Sequence, residues 1–186
     1  MGLYNMVQNL TNIRSKVGDK VSEIKGKVWK FGDNIPTDQI VRVDRALGTI
    51  EEMAKHVLEN YNPEFPKKVQ KGDILVAGKH FGQSSGRAVA PKAIKATGVG
   101  AVVVEYASRL FYRNAFEVGL PLMECEGITD HVSEGDVLSV DMQTGRIKNE
   151  TTGDELQARP VAPFLMEMLE AGGLIAYGPR IDEWKP

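Results

Sequence analysis

"DILVAGKHFGQSSGRAVAPKAIKATGVGAVVVEYA", residues 73–107, is the stretch that decides the fold. It opens on a short apolar run, "DILVAG" (Asp73–Gly78), and closes on a second, "AVVVEYA" (Ala101–Ala107). Short apolar runs bounded by turn formers are the mark of buried strands. Between them lies a Gly/Ser loop and then a helical stretch, Ala88–Thr97, closed by Gly98. Strand, helix and strand at this spacing form a βαβ unit, whose two strands are parallel.

Working outward, "GKVWKFG" reads as a first strand ending at Gly32, and "DNIPTDQIVRVDRAL" as a loop. Thr49–Leu58 reads as a helix with Thr49 as N-cap and Glu51 and Glu52 at its positive end. "ENYNPEFPKK" reads as a connector. "SRLFYRNAFEVGLP" is a second helix, with Gly119 suited to a left-handed C-terminal cap and Pro121 stopping continuation. Alternating residues around Thr144-Gly145 and Thr152-Gly153 predict antiparallel hairpins. A last helix begins near Pro163 and ends at Gly172-Gly173. Upstream, Val7, Leu10, Ile13, Val17, Val21 and Ile24 recur at helix period, predicting an amphipathic N-terminal helix. The class is α/β: a parallel βαβ core with antiparallel additions.

Composition narrows the function. The chain of 186 residues carries a net charge of -2 with no basic stripe, which argues against nucleic acid as a partner. No apolar run is long enough to span a bilayer, and the first residues lack a secretory h-region, so the expected location is cytoplasmic. Cys125 is the single cysteine, so this chain forms no internal disulfide and cannot hold a four-cysteine metal site or an iron–sulfur cluster by itself. It reads as a small buried hydrophobe.

The loop Gly82-Gln83-Ser84-Ser85-Gly86 satisfies the G-x-S-x-G pattern of serine hydrolases. A nucleophile elbow, however, needs the strand to run straight into the serine, and here Lys79–Gln83 intervene before Ser84. The one downstream histidine, His131, has Asp130 as its immediate neighbour, a poor arrangement for a triad. An anion cradle fits better. Glycines permit close backbone approach, helix-start N–H groups attract a carboxylate, and Arg87 supplies a planar charged fork. A serine in that field is favoured as alkoxide. His80 reads as a backbone-bonded loop residue, His56 and His131 as surface positions, and Arg109 and Arg113 as one exposed helix face.

Three ordered blocks, "GDNIPTDQIV" (residues 32–41), "FGQSSGRAVAP" (residues 81–91) and "FYRNAFEVGLP" (residues 111–121), resemble the 3-isopropylmalate dehydratase small-subunit family. That family is the detached swivel domain of the aconitase superfamily, and the resemblance runs from about Lys27 to Ile175. It implies a swivelling β/β/α domain over residues 27–186, with residues 1–26 as a helical extension. In such proteins the middle block usually reads F-G-C-G-S-S-R-E-H-A-P, which sets the catalytic serine on Ser85 and the carboxylate-binding arginine on Arg87. As alkoxide this serine takes the proton from the carbon beside a substrate carboxylate. Asp38 and Gly86 fall at the same site, and either Arg42 or Arg45 supplies a further substrate contact. The sequence departs from the pattern at Gln83-Ser84, Gly86, Ala88 and Val89.

The resemblance further implies a hydro-lyase of branched-chain (leucine) biosynthesis, acting on a hydroxy-di- or tricarboxylic acid. It also implies a [4Fe–4S] cluster, whose open iron acts as a Lewis acid on the departing hydroxyl. One cysteine cannot supply three cluster ligands, so the cluster is expected on a partner, an aconitase-like large subunit. The alternatives are a small subunit for a homoaconitate- or methylmalate-type substrate, or a non-catalytic carboxylate-binding or assembly subunit.

Overall fold

A computed structural model of the chain describes residues 23–42, 44 and 48–181. Seven strands build one mixed sheet: β1 (Glu23–Lys30), β2 (Ile74–Ala77), β3 (Ala101–Val104), β4 (Leu122–Glu124), β5 (Val137–Asp141), β6 (Arg146–Asn149) and β7 (Glu155–Gln157). Their spatial order is β4-β3-β2-β1-β5-β6-β7. The first four are mutually parallel and the last three join antiparallel, so β1 is the strand where the sheet changes sense. This is the α/β class with a βαβ core and antiparallel additions expected above.

Among the described residues, seven α-helices follow the same chain order: α1 (Thr37–Ile40), α2 (Ile50–Ala54), α3 (Phe65–Lys68), α4 (Val89–Ala96), α5 (Arg109–Val118), α6 (Pro163–Ala171) and α7 (Leu174–Ile181). The crossover helix of the βαβ unit is α4, which packs against α2 and α5. Every residue of β2 and β3 is buried, as strands covered on both faces must be. Beside them, Trp29 and Phe31 each meet the Phe65 ring edge-on at 5.4 Å.

Local chemistry explains the ends of these elements. Thr49 and Glu52 form a reciprocal capping box at the start of α2. Ser108 caps α5, and Gly119 ends it at φ 73°. Gly145 and Gly153 turn the two hairpins with φ of 79° and 89°.

Several elements differ from the sequence expectation. The N-terminal helix lies outside the described residues as far as residue 22, but Glu23 and Ile24, where it was expected to end, belong to β1. They are drawn into the sheet by pairing with Asp141 and Val140 of β5. The expected helix through Leu58 stops at Ala54, because Leu58 turns back at φ 55° to bury its side chain and donate its N–H to the Ile40 carbonyl. The loop after β1 contains α1, and the connector contains α3. Strand β4 and helix α7 were not expected; β4 is only three residues long, too short to show a period.

Candidate active site

The parallel strands deliver three chain segments to one end of the sheet, where ligands of open α/β sheets ordinarily bind. Residues 31–37 leave β1 and run beside residues 76–83, which leave β2. They are stitched by Phe31 N–H to Val76 O (2.8 Å), Asn34 N–H to Lys79 O (2.7 Å), Gly82 N–H to Ile35 O (2.7 Å) and Thr37 N–H to Gln83 O (2.9 Å). On the other side, Phe81 N–H donates to Tyr106 O (3.1 Å) and Ser108 N–H to Phe81 O (2.9 Å), tying the loop to the segment leaving β3.

Phe81–Gln83 therefore form a short strand-like run laid between these neighbours, and the two serines follow it directly. Gly82 sits at φ 74° and is buried, with its carbonyl accepting from Ser108 Oγ at 2.7 Å. Ser84 is exposed and also left-handed, at φ 84°. This is the position where the family pattern carries glycine, so the departure to serine is borne as backbone strain. Ser85 is half-buried, and its Oγ accepts from the Arg87 backbone N–H at 3.2 Å. The Arg87 side chain is exposed. Ala88 is the N-cap of α4 and Pro91 lies in its first turn, where its missing N–H costs nothing.

Asp38 is the second residue of α1, after Thr37, whose N–H is bonded to Gln83 O; Asp38 is exposed. Asp38 thus follows a segment stitched to the one that precedes Ser85, Gly86 and Arg87. Arg42 follows α1 and is exposed, with its guanidinium in a two-bond pair with Asp44 (2.9 and 3.2 Å), which raises its pKa. Arg45 lies outside the described residues. Gly86 is exposed; a Cβ there would stand 3.2 Å from Leu110 Cδ1, tight against the end of one side chain.

One residue at the site escaped sequence reasoning. Asn114 of α5, assigned no role from sequence, is 7% exposed and its Nδ2 donates to Gly86 O at 2.8 Å. The signal was present: Asn114 falls three residues after Phe111 and one before Ala115, on the apolar stripe. A buried amide there needs a polar partner.

The remaining candidates stand apart. His131 faces Asp154 at 3.6 Å and His56 pairs with Glu59 at 2.6 Å. His80 is exposed and its ring meets Tyr106 edge-on. Arg113 pairs with Glu117 on the surface. A groove of about 650 Å³ between α2, α4, α5 and α7 contains none of these site residues.

Among the described residues, no group of three or more His, Cys, Asp or Glu side chains could hold a metal ion. Cys125 is buried, and burial, followed by the charge of Glu105, pushes its thiol pKa up, which disfavours the thiolate that iron binding needs. The described residues, with the chain's single cysteine buried among them, do not fit an iron–sulfur cluster. No helix of the described residues is long and apolar enough to cross a membrane.

The aconitase C-terminal domain family matches residues 3–126. The isopropylmalate/citramalate isomerase small subunit of Methanocaldococcus jannaschii is 51% identical over 157 residues, covering 84% of this chain and 94% of that protein. The 3-isopropylmalate dehydratase small subunit 1 of Methanopyrus kandleri is 48% identical over 166 residues, covering 86% and 97%. A crystal structure of 3-isopropylmalate dehydratase from Methanocaldococcus jannaschii superposes with a TM-score of 0.81 at 35% identity, covering 87% of this chain and 96% of that one. The chain belongs to the family of 3-isopropylmalate dehydratase small subunits, within the aconitase C-terminal domain family.

Proposed function

We propose that this chain is the small subunit of a two-chain hydro-lyase of the 3-isopropylmalate dehydratase type, serving leucine biosynthesis. Ser85 acts as the base. Its Oγ removes the proton from the carbon beside a substrate carboxylate, while the hydroxyl departs from the adjacent carbon. Re-addition of water to the resulting double bond completes the isomerisation. Arg87 holds a carboxylate through its planar fork, and Asp38, Gly86 and Arg42 or Arg45 border the substrate.

The observation that carries this reading is the Arg87 N–H donating to Ser85 Oγ at 3.2 Å, on a loop where Arg87 is exposed. A donor on the oxygen favours the alkoxide, which is what a very weak acid needs to serve as a base. The half-site is open to solvent, which suits completion by a partner. The iron–sulfur cluster belongs, in this reading, to an aconitase-like large subunit.

The name of the 51% identical relative favours a second substrate of the same class, a citramalate-type acid. Pairing the chain with a cluster-bearing large subunit and assaying isopropylmalate and citramalate separately decides between them. In that complex Ser85→Ala should lower kcat by about 10²–10⁴-fold, the usual worth of a positioned general base. Near-normal turnover by the variant would instead mark this chain as a non-catalytic assembly subunit.

A further inference from the structure

The peptide unit joining Gly86 to Arg87 is held at both ends. Its carbonyl oxygen accepts from Asn114 Nδ2 at 2.8 Å, and its N–H donates to Ser85 Oγ at 3.2 Å. Among the described residues, 84–87 make no backbone–backbone hydrogen bond, so the Asn114 bond is what ties them to α5. We infer that Asn114 is a positioning residue, fixing the plane of this one peptide so that its N–H points at the serine oxygen.

The inference rests on the reading of Ser85 as base and deepens it. A peptide in a glycine loop can rotate about its flanking bonds, which would turn the Arg87 N–H away from Ser85. Gly86 supplies that freedom here, and Asn114 removes it. Bonding the carbonyl also polarises the same amide, since hydrogen bonds through one peptide reinforce each other. The bond to Ser85 Oγ is thereby strengthened when charge develops on that oxygen.

Burial argues that the amide is kept for this purpose. Asn114 stands on the face of α5 that also buries Phe111, Ala115 and Phe116. A leucine there would bury apolar surface with no polar group to satisfy, so packing alone does not call for asparagine. The N-cap of the same helix is Ser108, whose Oγ donates to Gly82 O. Helix α5 therefore grips the serine loop at two carbonyls, on either side of Ser84 and Ser85.

The test uses the reconstituted two-chain complex with Asn114→Leu, which keeps the volume, and Asn114→Asp, which keeps the shape but offers no donor when ionised. Removing a direct donor to a reacting oxygen costs about 10²–10³ in kcat, and a donor one peptide further back should cost about tenfold to a hundredfold. KM should stay within about twofold, since carboxylate binding through Arg87 does not use this bond. In the labelled small chain alone, hydrogen exchange at the Arg87 amide should speed up in both variants, while the amides of α4 and α5 keep their protection. Wild-type kcat in Asn114→Leu, with Ser85→Ala inactive in the same assay, overturns the inference. So does failure of both variants to fold, which would make Asn114 a packing residue only. Turnover retained by Ser85→Ala would remove the base reading instead, and the Arg87 exchange measurement would still decide whether the peptide is clamped.

Discussion

The ring of Phe111 occupies the space that a side chain on Gly82 would need. A Cβ built on Gly82 falls 2.2 Å from Phe111 Cγ and 2.3 Å from Cδ2. Phe111 cannot yield, because it is 1% exposed and its ring meets Phe81 edge-on at 5.1 Å. Gly82→Ala adds this overlap to the cost of a left-handed backbone. It should destabilise the chain by about 2–4 kcal/mol, the sum of moderate overpacking and one strained residue. Urea denaturation of the purified chain measures it; an unchanged midpoint would show that α5 can shift.

Two residues on, Ser84 has the same backbone sense without the same justification. It is exposed at φ 84°, and nothing about its surroundings calls for a side chain. Ser84→Gly should therefore stabilise the chain by about 0.5–1 kcal/mol, strain relief being partly offset by the freer unfolded chain. A melting temperature at or below that of the parent would contradict this.

Trp29 anchors the other side of the sheet. Its Nε1 donates to Asp73 Oδ2 at 2.8 Å, the same oxygen that accepts from Gln70 N–H at 2.9 Å, and Asp73 is 8% exposed. Trp29→Phe leaves a buried carboxylate short of one donor. The expected loss is about 1–3 kcal/mol for that group, before any packing change. Asp73→Asn in the same background should recover part of the loss, because a neutral amide needs less compensation.

The hairpin region holds a pH-sensitive contact. Asp136 Oδ2 accepts from Ser133 N–H and from Asn149 Nδ2, both at 2.8 Å, and these bonds hold its pKa below the ordinary aspartate value. A carboxylate whose folded pKa is depressed binds protons more readily when unfolded. Its contribution to stability is therefore complete above the unfolded value of about 3.9 and is lost as pH falls through the lower folded value. Asp136→Asn should flatten the stability profile across that acid window, because an amide oxygen can accept the same two bonds without titrating. Denaturation series between pH 7 and pH 2 would reveal it; parallel curves for both proteins would rule it out.

Much of the fold was legible because its signals are local. Apolar runs with turn residues at both ends gave β2 and β3. Ser108 and Gly119 bracketed α5, and Thr49 started α2 where expected. The misreadings share one cause, which is that their outcome depended on a distant partner. Glu23 and Ile24 carry a helix-like period but pair with β5, more than a hundred positions away in the chain. Leu58 extends a helical stripe in sequence, yet its burial and its bond to Ile40 end the helix early. A three-residue strand such as β4 has no period to read and exists because β3 offers an edge.

The candidate site divides the same way. Residue order placed Ser85, Gly86 and Arg87 on one loop, and the family pattern chose Ser85 over Ser84. Covalent neighbours and their spacing are written in the chain itself, so no tertiary contact was needed for that. Which groups press on the loop was another matter. That Asn114 turns inward to hold Gly86, that Phe111 excludes any side chain at Gly82, and that Thr37 bonds to Gln83 were decided by how α5 and the strand ends pack. Those contacts join residues far apart in sequence, and only burial in a common core brings them within bonding distance.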